Sequence, residues 1–349
     1  MGKIETSNYL RSNNRIRLEE SVPLPSPLIL LVEPTNLCNL KCAFCPTSDE
    51  ELLKRVGRPK GTMPLELFKK VVDDCKAFIH ADGTPGINGF YPHKDGEPLL
   101  HKDIAEMIAY AKKANIAKEI RLITNGFYLT PEMNQKLIDA GLDWIRVSVN
   151  GVSDEKYAEL CRTNVSVDQL VNNVADLFSR RENGTPFMIA KMIDVNRTEE
   201  EKRLFYEKFQ TICDVCSLEE VGGWSTTGDR DFALGIKNNS CNGIQRKERF
   251  VCPMPFYSLS INFDGKVGIC CYDWAHQTIV GDVTRESLLD IWNGEKMYEF
   301  RMYHLNHERN RIPACAKCRS ISIQPDNIDG YEERMIAALT GQKKGKSNI

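Results

Sequence analysis

No apolar run in the 349-residue chain approaches the roughly 20 residues that a membrane-spanning helix needs. Residues 1–27 are polar and mixed in charge, and they lack the apolar centre of a secretory signal. The expected compartment is therefore the cytoplasm, with no membrane partner. Charge of one sign is also missing. Lys and Arg number 46 against 48 Asp and Glu, a formal net charge of −2, so no global basic field points to nucleic acid. Solenoid-type repeats are absent. His276, His304 and His307 show no helical metal-ligand spacing with a carboxylate and are assigned no role.

What the chain does have is cysteine, 13 in all. In a reducing compartment so many thiols point to metal or redox chemistry rather than to a disulfide frame. Three of them, Cys38, Cys42 and Cys45, stand at C-x3-C-x2-C directly after an apolar run, Leu28 to Val32, that reads as a buried strand. Zinc is a poor match, because structural zinc sites are four-coordinate and closed, usually built from paired C-x2-C units. Thiolates are the usual ligands of iron–sulfur clusters. Three ligands on a four-iron cube leave one iron open, which suits a cluster that does chemistry.

That spacing, the aromatic Phe44 before the last cysteine, and the position after a first strand resemble the radical S-adenosylmethionine (SAM) enzymes. The resemblance implies that the open iron of a 4Fe–4S cluster binds the amino and carboxylate groups of SAM. It implies that reduction then yields methionine and a 5′-deoxyadenosyl radical, which abstracts hydrogen from a substrate. A reductant of the flavodoxin or ferredoxin kind is the implied protein partner. A second signature follows about 50 residues later, Gly96-Glu97-Pro98. In related enzymes such a turn binds the SAM amino group, so the resemblance makes Glu97 an amino-group acceptor. Asp95 stands where the family's first glycine would be. The resemblance further implies SAM contacts, to ribose and carboxylate, from the strand-end residues Asn125, Ser148, Asn150 and Lys191, with Phe44 against the adenine. Asn at a strand end is also an ordinary turn residue.

The coarse pattern agrees with such a fold. Residues 1–26 read as an extended lead-in. From 27 to 222 about six strand–helix units alternate, with strands near 28–34, 87–91, 120–123, 144–149, 187–193 and 215–221. Six units are too few for a closed eight-stranded barrel. The expected fold class is α/β, a partial (β/α)6 TIM-like barrel with strand C-termini on one face. Residues 223–250 read as a Gly- and Asn-rich linker.

Residues 251–320 hold a second cysteine set, Cys252, Cys270 or Cys271, Cys315 and Cys318. Asp264-Gly265 marks a hairpin turn between strands 258–262 and 266–270, and a helix is expected over 288–302. Four thiols in this order can ligate a second cluster completely; a closed four-cysteine zinc site is the competing reading. The arrangement resembles the SPASM and twitch auxiliary-cluster regions of radical SAM enzymes. No cysteine follows Cys318, which matches the one-cluster twitch type, and the family pattern favours Cys270 over Cys271. A C-terminal helix and tail occupy 321–349, the last ten residues expected to fray.

Cys75, Cys161, Cys213 and Cys216 read as buried small hydrophobes. His93, Lys94, Trp224 and Asp229 follow strand ends and are candidates to touch substrate. The resemblance implies one leading activity, the oxidation of a secondary alcohol on a small carbohydrate-, aminocyclitol- or natural-product-like substrate. Radical epimerisation is the first alternative and needs a thiol hydrogen donor, for which Cys241 and Cys271 are the candidates. Peptide maturation ranks lower, since about 26 residues before the first strand are too few for a peptide-binding domain. A non-enzymatic electron-transfer module would leave both SAM signatures to chance.

Overall fold

The structure, a computed structural model, describes residues 3–4, 16–80, 82–221, 224, 230–236, 240–241 and 244–346. Six parallel strands form its centre: β1 (Ile29–Val32), β2 (Ile87–Tyr91), β3 (Ala117–Thr124), β4 (Trp144–Val149), β5 (Phe187–Asp194) and β6 (Val215–Glu220). Each lies beside its predecessor in the sheet. The helices that return the chain are α2 (Leu65–Asp74), α3 (Ile104–Ala114), α4 (Pro131–Asp139), α5 (Asp154–Cys161), α6 (Val167–Arg180) and α7 (Glu199–Phe209); α1 (Glu50–Val56) precedes α2 in the long first connection. Because every strand runs the same way, all strand C-termini open on one edge, as the partial-barrel reading requires.

Local chemistry sets the helix starts. Thr130, Ser153 and Ser166 cap α4, α5 and α6 by accepting the N–H three residues on. Thr198 and Glu201 form a reciprocal capping box at α7. Alternation along the strands separates two faces. Leu122, Ile145, Val147, Met188 and Ala190 point outward into a core shared with Phe68, Met107, Leu137 and Leu170 of the helices. Burying each such side chain contributes about 1.5–3 kcal/mol. The inner face of β4–β6 carries a separate small apolar cluster, Trp144, Ile189 and Val215, with Phe187 packed against it.

The auxiliary region does not form a body apart from the barrel. Its first strand β7 (Ser258–Ile261) pairs in parallel with β1, Ser258 opposite Ile29 through Ile261 opposite Val32. Strands β8 (Lys266–Gly268) and β9 (Ile279–Asp282) follow antiparallel, extending the barrel sheet. The hairpin turns at Asp264-Gly265, where Gly265 has φ +85°, and β9 is a strand the sequence reading lacked. The expected helix over 288–302 is two, α8 (Leu288–Trp292) and α9 (Glu295–Leu305), divided at Asn293-Gly294. The expected fraying of the last ten residues is also corrected. For residues 340–346 helix α10 (Glu332–Lys346) replaces it: Met335 and Leu339 are buried and Lys343 pairs with Glu295 at 2.7 Å; residues 347–349 lie outside the described residues. So does much of the expected linker, although 230–236 and 244–250 are described, and Phe232 packs on Leu52, Leu53 and Trp274.

Candidate active site

The cysteine loop leaves the C-terminal end of β1 and is pinned on both sides. Asn36 donates to Pro59 O and accepts from Gly61 N, each at 3.0 Å. Lys41 N and Ala43 N donate to Cys161 O and Leu160 O at the end of α5. Ser48 Oγ bonds Cys42 O and Cys45 O at 2.7 and 2.8 Å, closing the last turn. Cys38 is exposed while Cys42 and Cys45 are half-buried. Burial pushes the Cys45 thiol up to about 11, so gathering deprotonated sulfurs here requires a positive centre between them.

The Gly96-Glu97 turn lies against this loop. Glu97 N donates to Leu37 O at 2.8 Å. Gly96 has φ +75°, and a Cβ there would stand 2.6–2.7 Å from the backbone of residues 35–37, so both conformation and space call for glycine. The Glu97 carboxylate is buried and accepts from Leu99 N (3.0 Å), Thr124 Oγ1 (2.7 Å) and Asn125 N (2.7 Å). Burial nonetheless raises its pKa to about 7, these three bonds only partly opposing it, and no described lysine or arginine contributes. A cationic ligand group is what this carboxylate lacks.

Two of the strand-end residues join the same place. Asn125 Nδ2 donates to Asn39 Oδ1 at 2.7 Å. Asn150 Nδ2 is 3.7 Å from Cys42 Sγ, and Asn150 O accepts from Arg197 at 2.5 Å. Ser148 and Lys191 are neighbours in register on β4 and β5. Pro98 opens a buried turn after Glu97. Phe44 is half-buried, and its carbonyl accepts from Trp224 Nε1 at 2.9 Å. Trp224 thus belongs to the apolar patch of Leu52, Leu53, Phe232 and Trp274 rather than to a free substrate surface. Asp229 and the side chain of Cys241 lie outside the described residues.

Two catalytic candidates have structural partners. His93 is buried, stacked on Tyr91, and donates from Nδ1 to Arg121 O at 3.1 Å. Burial and the Arg146 charge push its pKa to about 3, which leaves a neutral ring and a weak base near pH 7. The Lys94 side chain is 1% exposed. It donates to Asn262 Oδ1 (2.8 Å) and Asp273 O (3.3 Å), joining the barrel to the auxiliary hairpin. Asp95, in the place of the family's first glycine, belongs to the same buried network. It accepts from Arg58 at 3.0 Å, and Arg58 also reaches Glu33 at 3.4 Å. Burial opposes ionisation of Asp95, but Lys94, His276 and Arg58 together hold its carboxyl well below the usual range. His276, given no role from spacing, lies 3.5 Å from Glu33 and 3.9 Å from Asp95. Apart from Lys94 beside Asp95, these partners are 25 to more than 200 residues apart, so no local pattern announces them.

The second cysteine set gathers beside β8. Cys270 and Cys315 are buried, Cys252 and Cys318 half-buried. Burial pushes the Cys270 thiol well up, and the charges of Cys271, Cys315, Cys252 and Cys318 push it further. Cys271 is raised to about 11 by burial, and it feels Lys94 and Asp95 as well as Cys318. Arg309 donates to the carbonyls of Cys315 and Cys318, and His304 Nδ1 accepts from Cys252 N at 3.4 Å. Thiolates on one tetrahedral zinc would lie about 3.8 Å apart, from Zn–S bonds of about 2.3 Å. Among the described residues no three cysteine sulfurs come within 4.8 Å of one another; only Glu33, Asp95 and His276 form such a group.

Barrel, cysteine loop and cysteine-bearing hairpin define an iron–sulfur enzyme of the radical type. Residues 32–203 match the model of the Radical SAM superfamily, and residues 252–319 match that of SPASM, an iron–sulfur cluster-binding domain. The chain belongs to the radical SAM superfamily and carries a C-terminal SPASM region. Its cofactors are SAM, the SAM-binding 4Fe–4S cluster and auxiliary iron–sulfur ligation in the SPASM region. GTP 3′,8-cyclase of Aquifex aeolicus (strain VF5) is 26% identical over 233 residues, 66% of this chain and 68% of that protein. The S-adenosyl-L-methionine-dependent 2-deoxy-scyllo-inosamine dehydrogenase of Niallia circulans is 20% identical over 302 residues, 86% of this chain and 96% of that one. The fold is similar to that of BtrN in complex with AdoMet and 2-DOIA, with a TM-score of 0.54 at 18% identity, covering 85% of this chain and 94% of that one. It is also similar to Streptococcus suis SuiB bound to precursor peptide SuiA, with a TM-score of 0.60 at 14% identity, covering 81% and 69%. No helix among the described residues is long and apolar enough to cross a membrane.

Glu97→Gln keeps the shape of the turn and removes the charge. If Glu97 meets the SAM ammonium, the dissociation constant for SAM rises about tenfold or more, the scale of one charge-assisted hydrogen bond. Equilibrium binding to the reconstituted protein measures it, and unaltered affinity would remove Glu97 from the SAM site.

Proposed function

We propose that this radical SAM enzyme oxidises a secondary alcohol of a small carbohydrate-, aminocyclitol- or natural-product-like substrate. One observation carries the reading: the match to the inosamine dehydrogenase runs through both the barrel and the auxiliary region, over nearly the whole of each chain. The auxiliary cysteines support it. Cys252, Cys270, Cys315 and Cys318 offer one thiolate for each corner of a cube, a closed arrangement with no position for substrate. When bound, SAM with its reduced cluster supplies a hydrogen-abstracting 5′-deoxyadenosyl radical, and a closed auxiliary cluster supplies an electron-accepting centre.

The chain's own residues do the rest. Cys38, Cys42 and Cys45 hold the first cluster and leave one iron unligated by protein. Glu97 orients the SAM ammonium; Asn125, Ser148 and Asn150 face its polar groups from the C-terminal ends of two adjacent strands, β3 and β4, with Phe44 beside the adenine. Trp144, Ile189 and Val215 close the lumen below, keeping the substrate near the strand C-termini. A flavodoxin or ferredoxin serves as reductant.

The test is anaerobic. Reconstituted protein is incubated with SAM, dithionite and deuterated water, together with sugar, aminocyclitol and nucleoside candidates, and product mass is read with 5′-deoxyadenosine. The expected product is about two mass units lighter than its substrate, the loss of two hydrogens in alcohol oxidation. A product one unit heavier, with deuterium on carbon, would replace the proposal with epimerisation and direct attention to Cys271 and Cys241.

A further inference from the structure

Charge in the barrel lumen narrows the substrate class. Parity identifies the residues that face it. Ile145, Val147 and Val149 of β4, Met188, Ala190 and Met192 of β5, and Cys216 of β6 belong to the outer core. Trp144, Ile189 and Val215 form the inner cluster. Arg146, Lys191 and Glu219 share the inner parity and stand nearer the strand C-termini.

Arg146 Nη1 donates to Glu219 Oε1 at 3.0 Å. Lys191 Nζ stands 3.7 Å from Glu219 Oε2, beyond hydrogen-bonding distance. Arg146 Nε is buried without a partner among the described residues. Two cations therefore share one carboxylate. Their side chains keep 17% and 13% exposure and that of Glu219 10%, so packing does not seal the group from solvent. Arg121, whose Nε is likewise buried without a partner among the described residues, differs in having a carboxylate of its own, Glu119, and the rings of Tyr91 and Trp144 against its guanidinium. His93 is neutral. A half-buried excess positive charge on rigid strands is costly unless a ligand completes it.

We propose that Arg146 and Lys191 form an anion subsite, on which a carboxylate or phosphate group of the substrate docks, with Glu219 spacing the two cations. The inference rests on the lumen being the substrate chamber. It narrows the class to hydroxylated acids or phosphorylated polyols, and it sets this enzyme apart from one that acts on an amine-bearing cyclitol. An ammonium group would meet two like charges before it met Glu219. Arg146 is two residues deeper along β4 than Ser148. The charge of Lys191 also reaches Cys42, so SAM affinity is read beside phosphate binding.

The experiment separates the two sources of the anion. Cluster-reconstituted, SAM-loaded protein is titrated with inorganic phosphate and with the pair glycerol 3-phosphate and glycerol, read by ligand-observed NMR. SAM affinity is measured in parallel. Phosphate and glycerol 3-phosphate bind; glycerol does not. Arg146→Gln weakens phosphate binding about tenfold or more, the loss of one charge-assisted bond, and Arg146→Lys restores part of it. Glu219→Gln strengthens phosphate binding about threefold or more by freeing both cations, a gain that loss of a merely structural ion pair does not produce. The Glu219 variant therefore carries the test if Arg146→Gln fails to fold. Phosphate binding indifferent to both substitutions overturns the subsite. SAM affinity falling in Arg146→Gln while phosphate binding holds assigns the charge to the SAM carboxylate and also overturns it. A lighter product from a neutral or amine substrate, without phosphate binding, would defeat this inference and leave the dehydrogenase reading standing. Phosphate binding with a product of unaltered oxidation level would do the reverse.

Discussion

Cys38→Ala abolishes SAM cleavage: 5′-deoxyadenosine falls to the level formed without enzyme. The expectation is total because a cube held by two thiolates loses one of its three protein anchors, and the geometry that leaves a single iron open disappears with it. Cys38 also makes the cleaner variant. It is exposed, and its sulfur accepts only a 3.4 Å contact from Leu40 N, whereas Cys42 packs against Cys161 at 3.5 Å. Removing a surface thiol should alter stability by no more than about 0.5 kcal/mol. An unshifted melting temperature in the cluster-free proteins, together with lost cleavage, assigns the effect to the cluster. Wild-type yields of 5′-deoxyadenosine would sink the assignment of this loop.

The second large effect is on the auxiliary set. Changing Cys315 and Cys318 together to alanine removes about four irons per chain, one cube's worth, and abolishes oxidised product while SAM cleavage continues. The division follows from placement. The two cysteines sit in a turn organised by Arg309, whereas the region meets the barrel elsewhere, through the Lys94–Asn262–Asp273 contacts, His276 beside Glu33 and Asp95, and the β7–β1 pairing. The SAM-binding loop does not depend on that turn for any of its backbone bonds. Iron analysis paired with product mass reads both halves. Full retention of iron, or loss of zinc in its place, would refute a cluster at these four thiols. Intact product formation would refute its role as electron acceptor.

The two kinds of site differ in how far the sequence discloses them. The C-x3-C-x2-C loop is legible because one connection supplies all three ligands, so sequence spacing is spatial spacing. Gly96 is legible for a related reason. A backbone held at φ +75° against residues 35–37 admits no side chain, and that requirement marks the sequence directly. Cys270 over Cys271 is a preference from pattern alone: the two are chain neighbours, both are raised by burial, and both feel Cys318.

His93 and Lys94 show where such reasoning stops. Position after a strand end puts both at the right edge of the barrel. Which way each side chain turns depends on partners on other elements, Arg121 for one and Asn262 and Asp273 for the other. The buried Arg58–Asp95–Glu33–His276 network was unreadable for the same reason, and breaking one partner of such a pair costs about 3–5 kcal/mol.

By itself, then, the sequence determined the class: alternating strands and helices, a three-thiol loop after the first strand, a glycine-bearing turn after the second, and a later set of four cysteines. Each is carried by neighbours in the chain. Only the tertiary structure decided that the auxiliary hairpin extends the barrel sheet, that Lys94 and Asp95 belong to the seam between the two, and that Arg146, Lys191 and Glu219 meet in the lumen. These last three come from separate strands and span 73 residues between Arg146 and Glu219. Their meeting depends on register and barrel curvature, which are set by the packing of the whole sheet rather than by any stretch of it.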